Sequence, residues 1–160
     1  MLSDEFASVT GEGDTVVGKN YQGALVTLVD RKSKLTLIGK VDRYTAEAVE
    51  KTLISLMELL PRRNYTLTVD NGKEFSNHES VAETLQISVY FADPYSAWQR
   101  GLNENTNGLI RQYVPKGSDI RTLTDEQIEN IVDRLNNRPR KLLGYLTPNE
   151  VFYERKKLTR

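Results

Sequence analysis

The chain has 160 residues, 38% hydrophobic and 28% charged, with 22 Lys/Arg against 22 Asp/Glu. That describes one globular, soluble domain with a core of its own; no apolar run approaches the ~20 residues of a membrane span, and no secretory leader pattern opens the chain. With no Cys and one His, disulfides are excluded and a Cys/His zinc site is unsupported, so any metal is expected to be a hard cation on carboxylates, Mg²⁺ or Mn²⁺.

In chain order, residues 1–11 read as a flexible N-terminal segment and 12–160 as the core domain. Strands are expected at 14–17, 23–29 and 35–41, the first three forming an antiparallel meander. Thr45 caps a helix whose apolar face is Ala46, Val49, Leu53, Leu56, Met57 and Leu60, stopped by Pro61. A strand at 65–69 runs into Asp70. Ser76 to Glu79 has the capping-box pattern and opens a helix to about Leu85. A fifth strand spans 87–91 and a loop 93–101. A helix over 102–114 is stopped by Pro115. Capping boxes at Thr124–Gln127 and Thr147–Glu150, the second with Pro148 at the first helical position, open two more helices. The order βββαβαβααα is a mixed α/β fold.

The neutral total conceals an asymmetry. Residues 134–160 hold eight Lys/Arg and two Glu, a local +6, which leaves −6 on residues 1–133. A basic end beside an acidic body suits a protein that grips phosphates with one part and holds cations with another. On charge alone, a solvated basic helix end serves equally.

Phosphodiester cleavage by two metal ions needs carboxylates converging from separate elements. Asp70 ends an apolar strand, and Glu104 sits in the first turn of a helix, with 33 residues between the two acids. Asp14, within Gly11-Glu12-Gly13-Asp14, is the natural third acid, and its small neighbours would leave room for a bulky substrate. Glu12 shares its strand face and is the rival ligand; Asp93 is a weaker rival. Each acid also has a plain reading: a turn for Asp70-Asn71-Gly72, a helix-dipole partner for Glu104, a strand-edge acid for Asp14. On the Glu104 helix, Asn107, Gly108 and Arg111 share a polar face suited to phosphate, with Gly108 allowing close approach. Arg100, beside Trp98 in the loop, and Arg138, Arg140 and Lys141 are further candidates for DNA contact. His78 is expected to be structural.

Asp70-Asn71-Gly72-Lys73-Glu74-Phe75, Tyr90-Phe91-Ala92-Asp93-Pro94-Tyr95-Ser96 and Gln99-Arg100-Gly101 resemble the DDE transposases of the insertion-sequence-thirty family. So do Asn103-Glu104-Asn105-Thr106-Asn107-Gly108-Leu109-Ile110-Arg111-Gln112-Tyr113 and the closing Leu135-Asn136-Asn137-Arg138-Pro139-Arg140-Lys141, Leu143-Gly144-Tyr145 and Thr147-Pro148-Asn149-Glu150. The resemblance covers roughly residues 12–154. It implies a ribonuclease-H-like fold built on a mixed five-stranded sheet. It also implies Asp14, Asp70 and Glu104 as a triad for two Mg²⁺ or Mn²⁺ ions when DNA is bound. The implied activity is cleavage at transposon ends, then transfer of the 3′-OH into target DNA. A homo-oligomer on double-stranded DNA, in the bacterial cytoplasm at the nucleoid and not at a membrane, goes with it. Gly11 stands where the family has Trp, and Ala97 where it has Pro. The family's N-terminal helix-turn-helix has no counterpart here, so weak sequence recognition is expected. Two rivals are another nuclease of this fold, cutting hybrids or junctions, and a catalytically silent DNA-binding or assembly module.

Overall fold

The computed structural model describes residues 9–60, 65–69, 73–91 and 101–154. Five strands make one sheet in the order β3-β2-β1-β4-β5. β1 (Val9–Val17), β2 (Ala24–Asp30) and β3 (Thr36–Val41) form the antiparallel meander. β4 (Tyr65–Val69) pairs parallel with β1, and β5 (Ser88–Phe91) parallel with β4. The helices are α1 (Ala46–Glu58), α2 (His78–Leu85), α3 (Gly101–Arg111), α4 (Asp125–Asn136) and α5 (Pro148–Phe152). The expected element order holds.

Both sheet faces are covered, which is why every residue of β2 is buried. On one face Ala24, Val26 and Leu28 pack with Val49, Leu53 and Met57 of α1, Val81 of α2 and Phe152 of α5. On the other, Val16, Leu25 and Ile38 pack with Ile110 of α3 and Ile128, Ile131 and Leu135 of α4. Each such side chain contributes about 1.5–3 kcal/mol on leaving water. The approach of α1 to β3 is close enough that a Cβ on Gly39 would lie 2.4 Å from Thr52 Cγ2.

Three local expectations change. First, β1 begins at Val9 rather than at residue 14, which takes Val9, Thr10 and Gly11 out of the expected flexible segment. Two glycines hide the strand's alternation, and parallel pairing with β4 supplies what the local pattern lacks. Secondly, α2 has no side-chain cap at Asn77. Instead the Glu50 carboxylate of α1 accepts from Asn77 Nδ2 at 3.0 Å and from Ser80 Oγ, so side chains at the start of α2 are tied to a neighbouring helix where a capping box was expected of Ser76 and Glu79. Thirdly, α3 ends at Arg111, short of Val114, where the N–H groups of Tyr113 and Val114 both turn back to Ile110 O at 2.9 Å. The boxes at Thr124 and Thr147 form as expected, Pro148 included.

The last residue of α4 closes the sheet edge. Asn136 Nδ2 donates to Thr36 O at 2.8 Å, and Thr36 N–H donates to Asn136 Oδ1 at 2.9 Å, all of it buried. One side-chain amide thereby takes the place of a neighbouring strand at the start of β3.

Candidate active site

Asp14 lies in mid-sheet on β1, opposite Thr27, and is 7% exposed. Its Oδ1 accepts from Thr15 N–H at 2.8 Å, and its Oδ2 accepts from Asn107 Nδ2 of α3 at 2.9 Å. Its own carbonyl accepts from Thr27 Oγ1 at 3.3 Å. The carboxylate is thus held by two donors, while α3 is fastened across the strand. Two residues earlier on the same strand face, Glu12 is 2% exposed, and its Oε1 accepts from Arg31 Nε at 3.0 Å and Nη2 at 2.9 Å. Burial pushes the Glu12 pKa up, and the Arg31 guanidinium partly opposes that. Among the described residues, Glu12 Oε2 and Asn107 Oδ1 are buried acceptors with no donor.

The glycines beside Asp14 do not open space for substrate, contrary to expectation. A Cβ on Gly13 would meet Val69, Leu67 and Leu53 at 3.1–3.6 Å, and one on Gly11 would lie 2.9 Å from Leu28 Cδ1. They admit strand and helix packing. Gly108 is the open one: among the described residues, a Cβ there would meet nothing within 4 Å.

The integrase core domain family model matches residues 10–97, more than half of the chain. The chain belongs to the integrase core domain family. Transposase for insertion sequence element IS4351 of Bacteroides fragilis is 50% identical over 151 residues, 94% of this chain and 46% of that protein. Transposase InsI for insertion sequence element IS30A of Escherichia coli K12 is 43% identical over 143 residues, 88% of this chain and 37% of that protein. This integrase core therefore spans less than half the length of these relatives. Among solved structures, the catalytic core domain of BIV integrase matches with a TM-score of 0.67 at 21% identity, covering 91% of this chain and 94% of that one. A chain of the simian T-cell lymphotropic virus intasome in complex with PP2A regulatory subunit B56 gamma matches with a TM-score of 0.73 at 20% identity, covering 91% and 54%. The fold is ribonuclease-H-like, as the mixed sheet also indicates.

Within this integrase core, Asp70, Arg100, Trp98 and Asp93 lie outside the described residues, and Glu104 is described only as a position in α3, one turn before Asn107. Among the described residues no three His, Asp or Glu side chains form a metal cage. Glu12, the rival ligand, is engaged by Arg31. Two candidate phosphate contacts have other partners. Arg111 Nη2 donates to Val17 O at 3.1 Å and Nη1 to Val114 O at 3.4 Å, tying α3 to the end of β1. Arg140 is half-buried, and its Nη2 donates to Leu135 O at 2.9 Å, capping α4. Burial lowers the pKa of both guanidiniums. Local sequence could not show these carbonyl partners, because they belong to the folded backbone. Arg138 and Lys141 are exposed. The His78 ring lies edge-on to Phe91 at 4.6 Å. The sequence reading missed a polar contact on the α1 side of β1, where Thr15 Oγ1 meets Tyr44 Oη at 3.0 Å and Glu74 Oε1 at 3.5 Å.

Proposed function

We propose that this chain is the catalytic core of a transposase, cutting DNA at element ends and joining the freed 3′-OH to target DNA. One observation carries the reading: a buried carboxylate on the central strand, held by an amide from α3. Glu104 occupies the same helix face one turn before that amide. On the other side, Glu12 pairs with Thr68, which is two residues short of Asp14 on one strand and two short of Asp70 on the other. Sequence relatives at 50% and 43% identity are transposases by name.

The donor set fits a hard divalent cation. It is all oxygen, and Glu12 Oε2 and Asn107 Oδ1 are buried acceptors without a donor among the described residues. Asp14, Asp70 and Glu104 would hold two Mg²⁺ or Mn²⁺ ions with DNA bound. Bound there, the cations stabilise negative charge developing on the phosphate oxygens. In cleavage, water oxygen bonds to phosphorus and the P–O3′ bond breaks, leaving a 3′-OH and a 5′-phosphate. In transfer, that 3′-OH bonds to a target phosphorus and displaces a target 3′-oxygen, so one phosphodiester replaces another. Asn107 fixes the Asp14 rotamer throughout. Joining two ends to one target takes two such centres, hence a homo-oligomer on double-stranded DNA.

The test is strand cleavage and transfer on labelled duplex with Mn²⁺. Asp14→Asn and Asp70→Asn are each expected to lose at least a hundredfold in both steps while remaining folded. Activity near wild type in either variant removes that residue from the centre. A preference for hybrid or junction substrates over linear duplex points to the nuclease reading instead.

A further inference from the structure

The loop after α4 presents side chains that the core does not use. Leu142 is 80% exposed and Tyr145 69%. They stand on a closed backbone: Arg140 N–H donates to Leu146 O at 2.9 Å, and Tyr145 N–H donates to Arg140 O at 2.8 Å. The Arg140 guanidinium, on Leu135 O, locks the same loop to the end of α4. Gly144 and Tyr145 are consecutive left-handed residues, φ 62° and 67°. Glycine takes that conformation freely; a tyrosine is strained in it. A strained residue whose ring faces water adds nothing to packing, so its place needs another explanation.

The surroundings are cationic. Residues 137–146 contain three Lys/Arg and no Asp or Glu, with Arg138 and Lys141 exposed. The two Asn136–Thr36 hydrogen bonds pin this loop to the start of β3, two residues after Lys34. Arg140 is near enough to Lys34 to repel it, and Lys34 in turn feels Glu12, the neighbour of Asp14 on β1. Exposed cations thus share the loop with an exposed aromatic and an exposed aliphatic side chain, and the strand start it is pinned to lies on the sheet level of Glu12: Thr36 pairs with Val29, and Val29 with Glu12.

We propose that this loop binds an unpaired segment of DNA, with a base stacked on Tyr145 against Leu142 and flanking phosphates on Arg138, Lys141 and Lys34. The inference rests on the DNA-directed reading above. Phosphate contacts alone need no exposed ring. A ring between cations matches a strand whose base faces are free, which a closed duplex does not offer.

The test compares a blunt duplex with the same duplex carrying a short unpaired 3′ tail, by fluorescence anisotropy on the whole chain. Wild type is expected to bind the tailed DNA about tenfold more tightly, on the order one stacked base supplies. Tyr145→Gly relieves the backbone strain, so it should melt no lower than wild type yet lose the tail preference. Leu142→Ser should lose most of it, and Arg138→Ala with Lys141→Ala should weaken both DNAs alike. Tail preference retained in Tyr145→Gly overturns the inference. Equal binding of both DNAs by wild type also overturns it, and leaves the transposase reading standing; no binding to either overturns both. Self-association lost in Leu142→Ser, with no tail preference in wild type, assigns the pair to a second copy of the chain and overturns it as well.

Discussion

Asn107 shows how one side chain can govern another's chemistry. Its Nδ2 donates to Asp14 Oδ2 at 2.9 Å, while its own Oδ1 is buried without a donor among the described residues. Replacing the amide by a carboxylate sets two anions face to face in a buried place, and like charges there repel strongly. Asn107→Asp is expected to lower stability without metal by about 1–3 kcal/mol. It should also increase the stabilisation by Mn²⁺, because a cation that binds the folded state alone adds to stability by mass action. Thermal melts of wild type and variant over a Mn²⁺ series check this; equal Mn²⁺ shifts in both would place the metal away from Asn107. Asp14 was legible as a candidate because two-metal chemistry calls for acids from separate elements and the first strand offers it. The tasks of Arg111 and Arg140 were not, because their acceptors are carbonyls of Val17, Val114 and Leu135 that only the fold brings within reach.

Among the elements, what could be read from sequence was local. Thr45, Thr124 and Thr147 accept from N–H groups three residues on, and all three caps form. The Ser76 box satisfies the same pattern but loses to Glu50 of α1, 27 residues away from Asn77. Asn136 was visible only as part of a family motif, since its partner Thr36 lies 100 residues upstream. Asn136→Ala leaves a buried N–H and a buried C=O of Thr36 unsatisfied. It should cost about 2–4 kcal/mol, from roughly 1–3 per stranded group with partial relaxation. Urea unfolding gives the total, and amide exchange at Thr36 should quicken more than at Leu67 in the sheet interior. Unchanged exchange at Thr36 would mean that the amide is not what closes this edge.

For the whole molecule, zero net charge concealed a polarity: residues 134–160 carry a local +6 and residues 1–133 carry −6. Binding to duplex DNA is expected to be sequence-tolerant and steeply salt-dependent, because each neutralised phosphate releases counterions. Arg138→Ala with Lys141→Ala should flatten the log–log salt slope by about 1.8, at ~0.9 per contact. Anisotropy over a salt series with two unrelated duplexes measures it; an unchanged slope, or strong preference for one duplex, would assign duplex binding to other residues. The Asp14–Asn107 contact, spanning 93 residues, also has a consequence in time. At ~5–20 residues per second, a ribosome takes roughly 5–19 s to deliver Asn107 after Asp14. The meander, built from neighbouring segments, can form in that interval without an assembled centre. Translation stopped before Asn136 therefore yields a fragment that has the first acid and an uncapped β3 edge, ready to pair with other nascent chains.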